Sequence, residues 1–233
     1  KHTLLLILYT SVFFTLDTIF ITANSTIWRK MFVEDCNYPS GPMEYSLAMY
    51  SSAICIIANV SYTLENWMVD GLLLWHCSII YSERRWVIVL PIIMYIASIA
   101  VSIILLYQNS LPNGNLWGRL SFNFGLFYFT ISASINVILT ILIFARIFVF
   151  RYHARKALEK AHTVPYMSVA ALLIESCVLY AIFSILFIVL YGVQSDLSNT
   201  FLPILSQVHV CVICLDIAPL LTISLGVWDL RSP

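Results

Sequence analysis

Charge is what this chain has least of. Only 10% of its 233 residues are Asp, Glu, Lys or Arg, while 61% are hydrophobic. A water-soluble domain carries about 25% charged residues, so this composition cannot supply a hydrated surface and the outer face is expected to meet lipid. The net charge of zero does not by itself name a partner. No nucleic-acid partner is expected. Lysine is missing from every apolar run, because Lys1, Lys30, Lys156 and Lys160 all fall outside them. That excludes a retinal Schiff base, which needs a lysine inside the bundle. No GxSxG elbow is present, so the nucleophile motif of serine hydrolases is missing.

Cysteine and histidine are as uninformative for metal chemistry. Cys55, Cys77, Cys177, Cys211 and Cys214 lie in apolar runs, where a small soft side chain packs well, and only Cys36 sits in a polar loop. Cys211 and Cys214 have CxxC spacing but no second pair, so they do not read as a zinc site. His76 falls toward one end of the spans and His209 toward the other, which argues against a zinc hydrolase or a bis-histidine haem. No catalytic residue, metal or cofactor is expected.

What the chain has in quantity is apolar length. Six runs near or above the roughly 20 residues needed to cross a bilayer are expected as helices at about residues 4–27, 51–82, 86–107, 122–150, 166–192 and 201–225. The expected fold class is therefore an all-α, polytopic transmembrane bundle forming one domain over 1–233. Between the first two runs, Trp28–Tyr45 reads as a loop with Pro39, Gly41 and Pro42, and LPNGN marks another turn near residue 113. The second run is ambiguous. Split near Glu65, its second half would keep only 16 residues, Trp67–Ser82, too short to span comfortably. One helix of about 30 residues, about 45 Å long, is the expectation. Arg84, Arg85, Arg146, Arg151, Arg155, Lys156, Lys160 and Arg231 then fall with Lys1 on one side, expected to be cytoplasmic by the positive-inside rule, against Arg29, Lys30 and Arg119 on the other. Asn24-Ser25-Thr26 is a glycosylation sequon expected to lie too near the membrane for use.

Inside these apolar runs lie residues that are costly there. A charge at the bilayer centre costs about 2.5–3.5 kcal/mol on insertion scales. Asp17, Glu65, Asp70, Glu175 and Asp216 are all in spans, with few cations to meet them, so some are expected to be protonated or wet. On the second span Asn59, Thr63, Asn66 and Asp70 share one helical face, and Glu65 and His76 share another line about 100–120° away. Glu65 and His76 are three turns apart, about 16 Å, and are not expected to pair directly. These side chains either line a site for a ligand or a proton relay, or hold helices together as hydrogen-bonding glue, as Asn136 would. Arg84, Arg85, Arg151, Arg155, Lys156 and Lys160 are expected to touch anionic lipid or a cytoplasmic signalling protein. Glu83-Arg84-Arg85 is placed like the acidic-arginine motif of rhodopsin-like receptors, but the last span lacks an NPxxY signature.

Several stretches together carry a resemblance: GPMEY, ANVSYTLENWMVDGLLLWHCSIIY, VIVLPIIMYIAS, SINVILTILIFARI, YMSVAALLIESCVLYAIFSILF and FLPILSQVHV. They resemble a large group of uncharacterised seven-helix membrane proteins of basidiomycete fungi, over nearly the whole chain. The resemblance implies one more helix before Leu4, an outer N-terminus and an inner C-terminus. It fits a chain that opens on Lys1 and is expected to be processed, truncated or partial. The family pattern has Arg where this chain has His76, and an Arg-containing, Gly-rich tail where this chain reads DIAPLLTISLGVWDLRSP, so roles tied to those arginines do not carry over. The resemblance implies a fold and no activity. The expected function is a receptor-like protein binding a small molecule among its helices. The alternative is a proton-coupled carrier using the same acids. Which membrane holds the protein is not legible.

Overall fold

A computed structural model describes residues 2–34, 45, 49–82, 86–110, 119–157, 164–193, 201–211 and 213, with side chains described at 4–34, 45, 49–82, 86–110, 124–146, 148–149, 178–193, 201–211 and 213. Among the described residues there are six helices and no strand. They are α1 (His2–Arg29), α2 (Ala53–Ile80), α3 (Trp86–Ser110), α4 (Arg119–Ala157), α5 (Val164–Gly192) and α6 (Phe201–Cys211). Three stretches are long and apolar enough to cross a membrane: Leu4–Glu34, Trp86–Ser110 and Phe124–Arg146. Val178–Gly192 and Phe201–Cys211 are shorter apolar helical stretches.

α1 does not end where the sequence suggests. Trp28 and Arg29, expected in a loop, continue the helix, and Lys30–Glu34 adds a π-helical turn. Two contacts along this end favour continuation. The Trp28 and Phe32 rings stack with centroids 5.5 Å apart, one turn along. Arg29 Nε lies 3.1 Å from Glu34 Oε1 at the exposed surface. The sequon at Asn24 is consequently helical, with Thr26 Oγ1 donating back to the Thr22 carbonyl.

α2 is one continuous helix through Glu65, 28 residues or about 42 Å long. Ser52 begins it in extended conformation, and its Oγ accepts from the Cys55 N–H at 3.5 Å. At the other end the Tyr81 N–H bonds the Cys77 carbonyl at 3.0 Å. α2 packs against α1, α3 and α4 and is the hub of the molecule. α3 and α4 both outrun their expected ends, and α4 carries helix into the basic stretch as far as Ala157.

The interior divides by depth. One apolar cluster gathers Phe20, Tyr62, Tyr128, Phe129, Tyr180, Phe187, Tyr191 and Leu205. A second gathers Phe13, Val69, Leu72, Leu73, Ile135, Leu139, Ile143 and Ile213. Chain order places several polar side chains between them, while Asp70 and Asn136 lie just inside the second cluster's stretch. On α1, Asp17 lies between Phe20 and Phe13; on α2, Glu65 and Asn66 lie between Tyr62 and Val69; on α4, Ser132 lies between Phe129 and Ile135; on α6, Ser206 and His209 lie between Leu205 and Ile213. The outward faces are apolar. Leu90, Ile93, Ile96 and Ile103 of α3 are exposed while Ser98, Ser102 and Leu105 are buried. An apolar exterior around a polar interior is the arrangement a bilayer demands.

Cys55 and Cys77 are buried and free, as packing residues should be. Cys211 is free and exposed, which corrects its assignment to the packed interior. Its position on α6 faces outward, away from the buried Val208 and His209 beside it in the chain. Cys36, Cys177 and Cys214 lie outside the described side chains.

Candidate functional site

Two groups of side chains make up the polar belt, and α2 contributes to both because Glu65 and Asn66 are neighbours that point about 100° apart around the helix. The first group joins α1, α2 and α6. Ser206 Oγ sits 2.7 Å from Asp17 Oδ1 and 3.1 Å from each carboxylate oxygen of Glu65. Gln207 Nε2 donates to Asp17 Oδ1 at 3.2 Å. His209 Nδ1 lies 3.6 Å from Glu65 Oε1, an ion-pair distance when the imidazole is protonated and longer than a hydrogen bond. Asp17, Glu65, Ser206 and His209 are all buried, three of them completely. A serine hydroxyl has a single proton to donate.

The second group joins α2, α4 and α5. Asn66 Nδ2 donates to Tyr128 Oη at 2.9 Å and to Ser132 Oγ at 3.0 Å. The Tyr180 hydroxyl reaches Asn66 Oδ1 at 3.4 Å. Ser132 Oγ donates to Asp70 Oδ2 at 3.1 Å, and Asn136 Nδ2 donates to Asp70 Oδ1 at 2.6 Å. Aromatic rings join the two groups. His209 packs against the Tyr180 ring at 4.5 Å and the Tyr62 ring at 6.2 Å between centroids. A cavity of about 10 Å³ lies beside this junction, bordered by Tyr62, Asn66, Ser132, Tyr180 and Ser184. That is room for about one water.

The expected site residues divide accordingly. Asp17, Glu65, Asn66 and Asp70 come together in the belt. Asn59 does not: it is only partly buried, and its Nδ2 donates to Tyr50 Oη at 3.2 Å, two turns away from Asn66. The four-residue stripe is therefore two separate arrangements, since the eleven rises from Asn59 to Asp70 extend about 16 Å and leave the depth of the belt. His76 also stays apart, with its ring beside Trp75 at 5.1 Å. Among the described residues Glu65 is paired with His209 and not with His76. The side chains of Glu175, Arg151, Arg155 and Lys156, and all of Asp216, Arg84, Arg85 and Lys160, lie outside the described residues.

Sequence reading singled out too few partners on α4, α5 and α6. Tyr128, Ser132 and Asn136 are spaced by four residues, which is a readable helical stripe. Ser206 and His209 are spaced by three, as neighbours on one face must be. Ser206 offered no signal of its own in a chain with many serines. No family model, curated protein or solved structure matches the chain.

Proposed function

We propose that this chain is a multi-pass, receptor-like membrane protein without catalytic activity, whose six spans belong to a seven-helix bundle of the basidiomycete type. In this reading a small polar ligand binds where α2, α4, α5 and α6 meet, and its binding shifts those helices. The observation that carries it is the convergence of Asn66, Ser132 and Tyr180 on one cavity at the level of the carboxylates. Polar side chains from three helices at one depth are expensive in a bilayer, and their convergence gives a ligand both hydrogen bonds and a way to bias helix positions. The cavity holds about one water, so the described state corresponds to a closed form that a ligand would open. Readout would fall to Arg84, Arg85 and the basic stretch 151–162 on the cytoplasmic side.

The test is a thermal-stability screen of small polar molecules on the protein in lipid nanodiscs. Compounds that raise the melting temperature in wild type, and do so less in Asn66→Ala and Tyr180→Phe, support the reading. Stabilisation that ignores both substitutions contradicts it.

One observation favours the second reading, a proton-coupled carrier. Asp17 and Glu65 bracket one hydroxyl, with His209 beside them. Such a group can hold, exchange and release protons at membrane depth.

A further inference from the structure

Ser184 of α5 borders the small cavity, and the hydrogen bonds of the belt leave it out. It is 2% exposed, and its Oγ has no partner at hydrogen-bond geometry. Other hydroxyls in these helices are satisfied by their own backbone. On α4, Ser134 Oγ donates to the Thr130 carbonyl and Thr140 Oγ1 to the Asn136 carbonyl, each at 2.7 Å and one turn back. Ser184 does not do this. A buried hydroxyl without a partner is costly, and lipid offers it none.

The space beside Ser184 can supply the partner. The cavity of about 10 Å³ is also bordered by Asn66, Ser132 and Tyr180. All four residues are at most 3% exposed, which puts the cavity inside the bundle and not on its lipid face. A void lined only by apolar groups stays empty, whereas a polar one of this size with two to four partners holds a water. The partners can be counted. Ser184 has its proton free. Ser132 Oγ donates to Asp70 Oδ2 and accepts from Asn66 Nδ2, which leaves it one lone pair. Tyr180 Oη gives its proton to Asn66 Oδ1 at 3.4 Å and keeps lone pairs to accept.

We propose that this cavity is a binding site for one ordered water, which accepts from the Ser184 hydroxyl and donates to Tyr180 Oη and Ser132 Oγ. The water ties α5 to α4 at the depth of the carboxylates and completes the belt on its α5 side. Three partners are the usual number for a buried water. Asn66, Ser132, Tyr180 and Ser184 carry no formal charge, which suits a neutral guest. The site rests on the closed packing and holds under either functional reading above.

The test needs no ligand. An experimental structure of the full chain in nanodiscs, at a resolution that shows ordered water, should place a density peak about 2.5–3.0 Å from Ser184 Oγ and from Tyr180 Oη or Ser132 Oγ. Ser184→Ala takes a partner from that water and should lower the melting temperature by about 2–4 °C. A dry cavity predicts the opposite sign, because removing an unpartnered hydroxyl leaves stability unchanged or raises it. Ser184 and Ser132 share no direct hydrogen bond. Ser184→Ala combined with Ser132→Ala should nevertheless cost less than the two single losses added, as groups bound to one water do. An empty cavity in the density, a Ser184→Ala protein at least as stable as wild type, or strictly additive losses each overturn the proposal.

Discussion

Asn66 shows how much a single residue can organise. Its amide donates to Tyr128 and Ser132 and accepts from Tyr180, so one side chain on α2 reaches both α4 and α5. Hydrogen bonds between membrane helices average about 0.6 kcal/mol in double-mutant cycles and reach about 1.7, because the unfolded chain in lipid also finds partners. A cycle of Asn66→Ala with Ser132→Ala, measured by reversible unfolding in detergent, should return a coupling in that range. Zero coupling would mean that the contact does not hold the helices. Trp67 is a second residue with partners across a helix boundary. Its indole N–H donates to Ser102 Oγ at 3.0 Å, while its carbonyl accepts from the Tyr95 hydroxyl at 3.0 Å. Asn66, Glu65 and Asp70 were legible in the sequence because a polar residue in an apolar run is conspicuous. Their partners were not, since serine and tyrosine are common in such runs and contact across helices leaves no mark in local spacing.

At the scale of elements, close approach is set by small residues. Gly125 of α4 is buried against Tyr191 of α5, and a methyl group there would collide with the Tyr191 hydroxyl. Gly125→Ala should therefore destabilise the α4–α5 contact by about 1–3 kcal/mol, the usual cost of overpacking. A lowered melting temperature that Gly125→Ala/Tyr191→Phe partly restores would confirm the cause. α3 makes a second prediction. Ile93, Ile96 and Ile103 face outward, while Ser98 and Ser102 are buried, Ser102 against Trp67 of α2. A lipid-dissolved photolabel should mark cysteines at 93, 96 and 103 and spare those at 98 and 102; even labelling would contradict the packing. α2's continuity followed from run length alone. The ends did not, because Trp28–Phe32 and Arg29–Glu34 contacts extend α1 through residues whose polarity suggests a loop.

For the whole molecule, the pattern is two apolar clusters with a polar layer between them and an apolar exterior. That inside-out arrangement could be anticipated from composition. Its depth could not, because it depends on how five helices are set against one another. The proposed orientation rests on the uneven distribution of Lys and Arg and has its own test. In a background lacking Cys36, a cysteine at Lys30 should react with a membrane-impermeant maleimide on intact cells, and one at Ser82 should react only after permeabilisation. The reverse pattern would invert the proposed topology. The central claim is that the carboxylate belt serves a closed, receptor-like interior and not a route for protons. Reconstitution in liposomes with an internal pH dye under an imposed proton gradient tests it most directly, comparing wild type with Glu65→Gln and Asp70→Asn. The account predicts no flux above empty liposomes from any of the three when all are folded. Flux in wild type that either substitution abolishes would contradict it and make the belt a proton relay.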